Sequence, residues 1–197
     1  MHISIEGFDG VGKSTISKMI AERLSFYFIE KPLKYLLDPE GGDKEYLRIR
    51  DYFNKISSNN RALSACFYGL GNLYLYEAYK NENIVTDRHI LSNYAWSYGE
   101  ASAELFDVFY KILGDPDFTF ILYADKEALK NRLKNRNSED PDLRKIDKHE
   151  VVYTRMEYFA KLRGMQYLFI DTTKINPEDV VDRMMDELVM RGIIDGW

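Results

Sequence analysis

Gly7, Gly10, Gly12, Lys13 and Ser14, spaced as GFDGVGKST, form a pattern that can hold a chain of phosphates. Glycine tolerates positive φ, so successive backbone N–H groups can turn into one concavity. A helix beginning near Lys13 adds roughly half a positive charge at its N-terminus. Lys13 would reach the β- and γ-phosphates, and the Ser14 hydroxyl would ligate Mg²⁺. Asp9 needs its own reason, because phosphates repel a carboxylate unless a cation or hydroxyl intervenes. It is read as facing the magnesium or an acceptor sugar.

A second constellation is TDRHILSNYAWSYG, residues 86–99. Asp87 ends an apolar strand, where a carboxylate could support the metal. Arg88 follows, and at a strand's C-terminal end it would point into a ligand crevice. By itself the pair could be a strand-end salt bridge; beside a phosphate loop it is a candidate transition-state clamp. The basic residues gather between Lys126 and Lys148, where eight lysines and arginines face five acids. On composition alone that run is a solvated helix face.

These residues need elements to hold them. HISIE, FYFIE, NIVTD, DFTFILYA and QYLFID read as five strands. Between them fall helical patterns over about 13–24, 44–56, 61–80, 90–98, 102–113, 126 onward, 147–163 and from Pro177, with Asn176 as N-cap. Pro32 closes the second strand and DPEGGD is turn chemistry. The alternation predicts an α/β fold, a doubly wound five-stranded parallel sheet with helices on both faces. The 197 residues suit one domain spanning 1–197.

Apolar residues at 45% and charged residues at 30% describe a soluble globular chain. No apolar run approaches the ~20 residues of a membrane span, and no secretory signal is visible. A net charge of −5 argues against a nucleic-acid polymer as partner. Cys66, the one cysteine, lies in an apolar run and is read as a buried, inert thiol in a reducing, cytoplasmic setting. His2, His89 and His149 are scattered, so no metal cluster is expected.

Taken together, these motifs resemble the thymidylate kinases. The family's EGxDGxGKST corresponds to EGFDGVGKST at 6–15, and its DR-Tyr/His motif with SxxA-Tyr/Phe corresponds to DRHILSNYAW at 87–96. Pro32, Pro116–Asp117 before FTFILY, the Arg132/Arg136 spacing and IDTT at 170–173 match further features across nearly the whole chain. The resemblance implies transfer of the ATP γ-phosphoryl group to a (deoxy)nucleoside monophosphate, with dTMP first, on a P-loop kinase fold with a short lid at about 134–148. ATP would lie on Gly7, Asp9, Gly10, Val11, Gly12, Lys13, Ser14, Thr15 and Arg132. Ser14 and Asp9 would serve Mg²⁺, and Arg88, supported by Asp87, would touch both phosphate chains. Asp9, Pro32, Arg48 or Arg50, Phe67, Asn93 and Trp96 would line the acceptor side. The phosphate loop holds no arginine, so the lid must supply one: Arg136 first, Arg144 second. Family members are commonly homodimers, which makes the 61–80 helix a candidate interface.

The chain also departs from the pattern. The helix before the DR motif, SACFYGLGNLYLYE, lacks the base-reading arginine of F-x-A-x-R, leaving Phe67, Tyr68 or Asn72 to meet a base. Lys31–Pro32 stands where EP or FP is usual. A second reading is a kinase for an unphosphorylated (deoxy)nucleoside or another small acceptor, with Glu30 as the base that takes the hydroxyl proton. A third, from another class, is a nucleotide-dependent regulatory binder, although no NKxD occurs.

Overall fold

Strands flanked by helices form here because apolar β-rich runs alternate with amphipathic stretches, which bury the central strands on both faces. In the computed structural model, which describes residues 1–196, β1 (His2–Gly7), β2 (Tyr27–Glu30), β3 (Ile84–Asp87), β4 (Phe118–Tyr123) and β5 (Tyr167–Asp171) make one parallel sheet. Its order is β2-β3-β1-β4-β5. The helices are α1 (Lys13–Leu24), α2 (Pro32–Leu37), α3 (Lys44–Ile56), α4 (Arg61–Tyr79), α5 (Ile90–Ser97), α6 (Ala103–Leu113), α7 (Lys126–Arg136), α8 (His149–Arg163) and α9 (Pro177–Met190). Glu100–Ser102 and Pro141–Lys148 wind as 3₁₀ turns.

The chain reverses its direction across the sheet around β1, with β3 on one side and β4 on the other. A crevice therefore opens at the C-terminal ends of these strands, where open α/β sheets bind ligands. Register fixes what meets there: Ile5 lies opposite Asp87, Gly7 opposite Leu122, and Glu30 opposite Asp87. Ile3, Ile5, Phe118, Phe120, Ile121 and Leu122 are sealed from solvent. Each such side chain contributes about 1.5–3 kcal/mol by burial. Behind the crevice, Tyr94 packs on Phe159 and Phe106 with ring centroids 4.3 and 5.0 Å apart, tying α5 to α8 and α6.

Asn176 caps α9 by accepting from Asp179 N at 3.0 Å, as its sequence pattern indicates. Two elements differ from expectation. Pro32 does not merely end β2; it opens the six-residue α2, because proline's fixed φ and missing N–H suit a first helical turn. NSEDPD does not lead directly into the next helix, because Asp140 accepts from Asp142 N at 2.9 Å and starts the 3₁₀ turn. Cys66 is corrected from buried to exposed. The α4 face that points inward carries Ala65, Phe67, Gly69, Gly71, Asn72 and Leu75, which leaves Cys66 and Leu70 outside. Among the described residues, no helix is long and apolar enough to cross a membrane.

Candidate active site

The glycine loop lies between β1 and α1, and sterics select its composition. A Cβ on Gly7 (φ +140°) would sit 2.4 Å from the Leu122 carbonyl oxygen, and one on Gly10 (φ +84°) would sit 2.8 Å from Leu133 Cδ2. Phe8 anchors the loop from below, buried between Trp96 and His149. The Phe8 N–H donates to the Tyr153 hydroxyl at 3.2 Å, and that hydroxyl donates to Leu122 O at 2.7 Å. Lys13 is buried and donates to Phe8 O at 2.7 Å, so its ammonium lies inside the loop's curve. Burial, reinforced by the positive charge of Arg88, pushes the Lys13 amine down to about 8, against the pull of Asp87, Asp9 and Glu6. It stays mostly protonated at neutral pH.

Arg88 closes the front of this curve. Its φ of +77° is left-handed, a strained conformation for a residue with a Cβ. Its backbone N–H donates to Ile5 O at 2.9 Å and holds the turn. The guanidinium then bonds the Asp9 carboxylate and, at 3.2 Å, Ser92 Oγ. Lys145 approaches from the other side, with Nζ 3.1 Å from Asp9 Oδ2 and 2.7 Å from Asp142 Oδ1. Burial alone would raise the Asp9 carboxyl, but Arg88, Lys13 and Lys145 together hold it well below the usual carboxylate range.

Behind them, the Ser14 hydroxyl bonds Asp87 Oδ2, while Asp87 Oδ1 is buried without a partner among the described residues. A serine hydroxyl and an orphaned carboxylate oxygen on one spot are the donor set Mg²⁺ takes, so the residues fit that ion. The structure brings Ser14 onto Asp87 rather than onto Asp9. Asp9 lies at the front of the loop, where two cations engage it.

One positioning residue went unmarked by sequence reasoning. Glu6, fully buried in β1, accepts from the backbone N–H groups of His89 (2.9 Å), Leu91 (3.2 Å) and Ser92 (3.2 Å) and from Ser92 Oγ. It caps the N-terminus of α5 from another strand and so fixes Arg88 relative to the loop. The signal was present: a carboxylate in an otherwise apolar buried strand needs fixed partners. Burial raises its pKa, opposed by the Ser92 bonds and Arg88.

The basic run divides in three. Arg132 on α7 donates to Val11 O at 3.3 Å and to Thr172 Oγ1 at 3.2 Å, tying the glycine loop to the IDTT turn. Arg136 does not reach the loop, because Asp140 (2.6 Å) and Asp142 (2.8 Å) occupy its guanidinium. Arg144 is exposed and, among the described residues, bonds to nothing. Lys145 is the lid cation that meets Asp9. The R-xxx-R spacing drew attention to arginines and hid it.

On the acceptor side, Pro32 and Leu33 press on Gly71 of α4, where a Cβ would meet Leu33 Cγ at 3.0 Å. Phe67 is buried and stacked on Phe53 at 4.2 Å, beside Tyr46 and Leu33. Arg48 points to solvent and pairs with Glu45, whereas Arg50 lies over the Tyr46 ring at 5.9 Å. The Tyr46 hydroxyl, pushed up to about 12 by burial and Tyr68, is pulled the other way by Arg50 and Arg88. Arg50 is thus the less exposed of the two, and its guanidinium pairs with Asp51 at 2.7 Å. Asn93 donates to Ala65 O at 3.0 Å and keeps a buried, unpartnered Oδ1; Asn72 Nδ2 is likewise unpartnered. Trp96 is half-buried, its ring against Phe8. Glu30 pairs with Lys31 at 2.9 Å and lines an open groove of about 460 Å³ with Ser14, Thr15, Lys18 and Phe28.

A cationic glycine loop at the switch point of a parallel sheet, faced by an arginine and a lid, defines a kinase of the nucleoside monophosphate class. Residues 5–184 match the thymidylate kinase family profile, and the chain belongs to that family. A probable thymidylate kinase of Methanococcus maripaludis is 26% identical over 205 residues, covering 95% of this chain and 94% of the relative. Among solved structures, thymidylate kinase from Candida albicans aligns at TM-score 0.68 and 19% identity, over 97% of this chain and 92% of that one. Deoxyadenosine kinase from M. mycoides with bound dATP aligns at 0.67 and 20%, over 95% and 99%.

Proposed function

We propose that the chain transfers the γ-phosphoryl group of Mg-ATP to dTMP, forming dTDP, within one domain whose lid spans about 134–148. The observation that carries this reading is the convergence of Arg88, Lys13 and Lys145 on Asp9, in front of a loop built for phosphates. Lys13 and the loop amides would hold the donor, and Arg88 would bridge donor and acceptor phosphates. When bound on Ser14 and Asp87, Mg²⁺ would neutralise charge on the donor phosphates. A monophosphate offers an anionic nucleophile, so no protein base is needed for it. Arg50 would meet the acceptor phosphate and Phe67, Asn93 and Trp96 the nucleoside. The outward row Cys66 and Leu70 of α4 with Val108 and Ile112 of α6 is the surface on which a homodimer would form. A cytoplasmic setting fits this chemistry.

A second reading has its own support: Glu30 stands opposite Asp87 in register and shares a groove with Ser14. A nucleoside hydroxyl placed there would meet a carboxylate able to take its proton. The test is ADP formation from Mg-ATP with each common nucleoside and monophosphate. Turnover greatest with dTMP supports the first reading. Turnover with a nucleoside, abolished by Glu30→Gln, replaces it with the second. Slow phosphate release unaffected by any acceptor would instead indicate a regulatory nucleotide binder.

A further inference from the structure

Three cations surround Asp9, and two belong to motifs whose part in phosphate binding needs no addition. The third, Lys145, belongs to the 3₁₀ turn of the lid. Its ammonium has a defined place: 3.1 Å from Asp9, 2.7 Å from Asp142 and 5.5 Å from the Trp96 ring centroid. Asp142 is held in turn by Arg136, which Asp140 braces. The result is a chain of alternating charges, Arg136–Asp142–Lys145–Asp9–Arg88, from the end of α7 to the front of the glycine loop. A phosphoryl group entering between the loop and Arg88 meets the Lys145 ammonium by a short swing of a flexible four-carbon stem. Neither neighbouring arginine shares the Lys145 contact with Asp9, since Arg136 bonds Asp140 and Asp142 instead and Arg144 faces solvent.

We propose that Lys145 is the catalytic lid cation that touches the transferring phosphoryl group, and that Arg136 is a positioning residue acting on it through Asp142. The inference rests on the phosphoryl-transfer reading above. In the step itself, the bond from the γ-phosphorus to the β,γ-bridging oxygen breaks and a bond to the acceptor oxygen forms. Lys145 keeps its protons and stabilises charge on the equatorial and bridging oxygens, as a preorganised donor does.

The test compares Lys145→Ala, Lys145→Arg, Arg136→Ala, Asp142→Asn and Arg144→Ala by kcat and KM, with circular dichroism confirming the fold. A cation on a transferring phosphoryl group is worth 10³–10⁵ at most, so Lys145→Ala is expected to lower kcat about 100-fold or more, with KM for ATP within about threefold. Lys145→Arg should retain at least about a tenth of kcat, since the charge persists. Arg136→Ala and Asp142→Asn should each lower kcat about 5- to 20-fold, and Arg136→Ala should add nothing to Lys145→Ala, as coupled residues do. Arg144→Ala should stay within about threefold of wild type. Near-normal kcat in Lys145→Ala, or a loss confined to Arg144→Ala, overturns the proposal. A second measurement needs no acceptor: the rate at which an amine-acylating reagent modifies Lys145, read by peptide mass spectrometry. Mg-ATP should slow that rate at least about fivefold by occupying the ammonium. If no acceptor yields ADP yet Mg-ATP protects Lys145, the transfer reading fails and the phosphate contact stands. If ADP forms but neither kcat nor labelling responds, the contact fails alone.

Discussion

The donor and acceptor halves of the crevice are built on different physics. On the donor half, β1, the glycine loop, α5 and the lid are joined by charge-assisted bonds: Glu6 to the start of α5, Asp9 to Arg88 and Lys145, Ser14 to Asp87. On the acceptor half, α2, α3 and α4 enclose a small separate apolar cluster of Leu33, Tyr46 and Phe67, and nearby Asn72 and Asn93 keep unpartnered amide atoms. Phosphate is the same ligand in any nucleotide, so a fixed cationic frame serves it. On the proposed reading a base must be distinguished from other bases, so that side would rely on shape and a few polar atoms.

Four experiments probe this contrast. Arg88→Ala should lower turnover by at least about two orders of magnitude with the fold intact, if its charge meets the transferring group as proposed. Turnover near normal would dissolve the picture of a fixed donor frame. Phe67→Ala should cost about 3 kcal/mol or more in urea unfolding, since it empties a stacked, buried site. A loss below about 1 kcal/mol would mean that the acceptor cluster is not a packed unit. Arg50→Ala should raise the acceptor KM about tenfold and Arg48→Ala less than about twofold, as surface pairs contribute little. Equal effects would erase the distinction drawn from Tyr46.

The smallest effect concerns His2 and His89, stacked edge-on at 4.8 Å beneath both halves, with His2 Nε2 2.9 Å from Thr86 Oγ1. Burial lowers both imidazoles, His89 to about 4, so the unfolded chain binds more protons than the folded one. Stability is then fully present above the unfolded value of about 6.5 and is lost as pH falls toward 4. Between pH 7 and 5.5 the loss for His89 should be about 1 kcal/mol, and His89→Gln should flatten the profile. An unchanged slope in that variant would remove the histidine from the account.

The sheet, its helices and the glycine loop were legible because period and glycine spacing report local backbone requirements. Asp9, Lys13, Ser14, Asp87 and Arg88 converge as their types suggested. What stayed hidden depends on partners distant in sequence. Glu6 acts on residues 83 or more positions away, and Lys145 meets Asp9 across 136. Arg136 has the spacing of a lid arginine, yet local carboxylates at 140 and 142 capture it. Arg48 and Arg50 differ only in which side of α3 they occupy, a rotation that spacing could not assign without knowing where α4 packs.

The close seat of Gly10 against Leu133, together with the Arg132 bond to Val11, has a mechanical consequence. The last turns of α7 and the glycine loop are packed as one piece, so the proposed lid would not swing from the start of that helix. Its lever arm begins after Arg136 and ends at His149, whose ring is fastened to Ala124 O at 2.9 Å. Any opening of the proposed lid would thereby be confined to a dozen residues pinned at both ends, and that short span would set how far Lys145 could retreat.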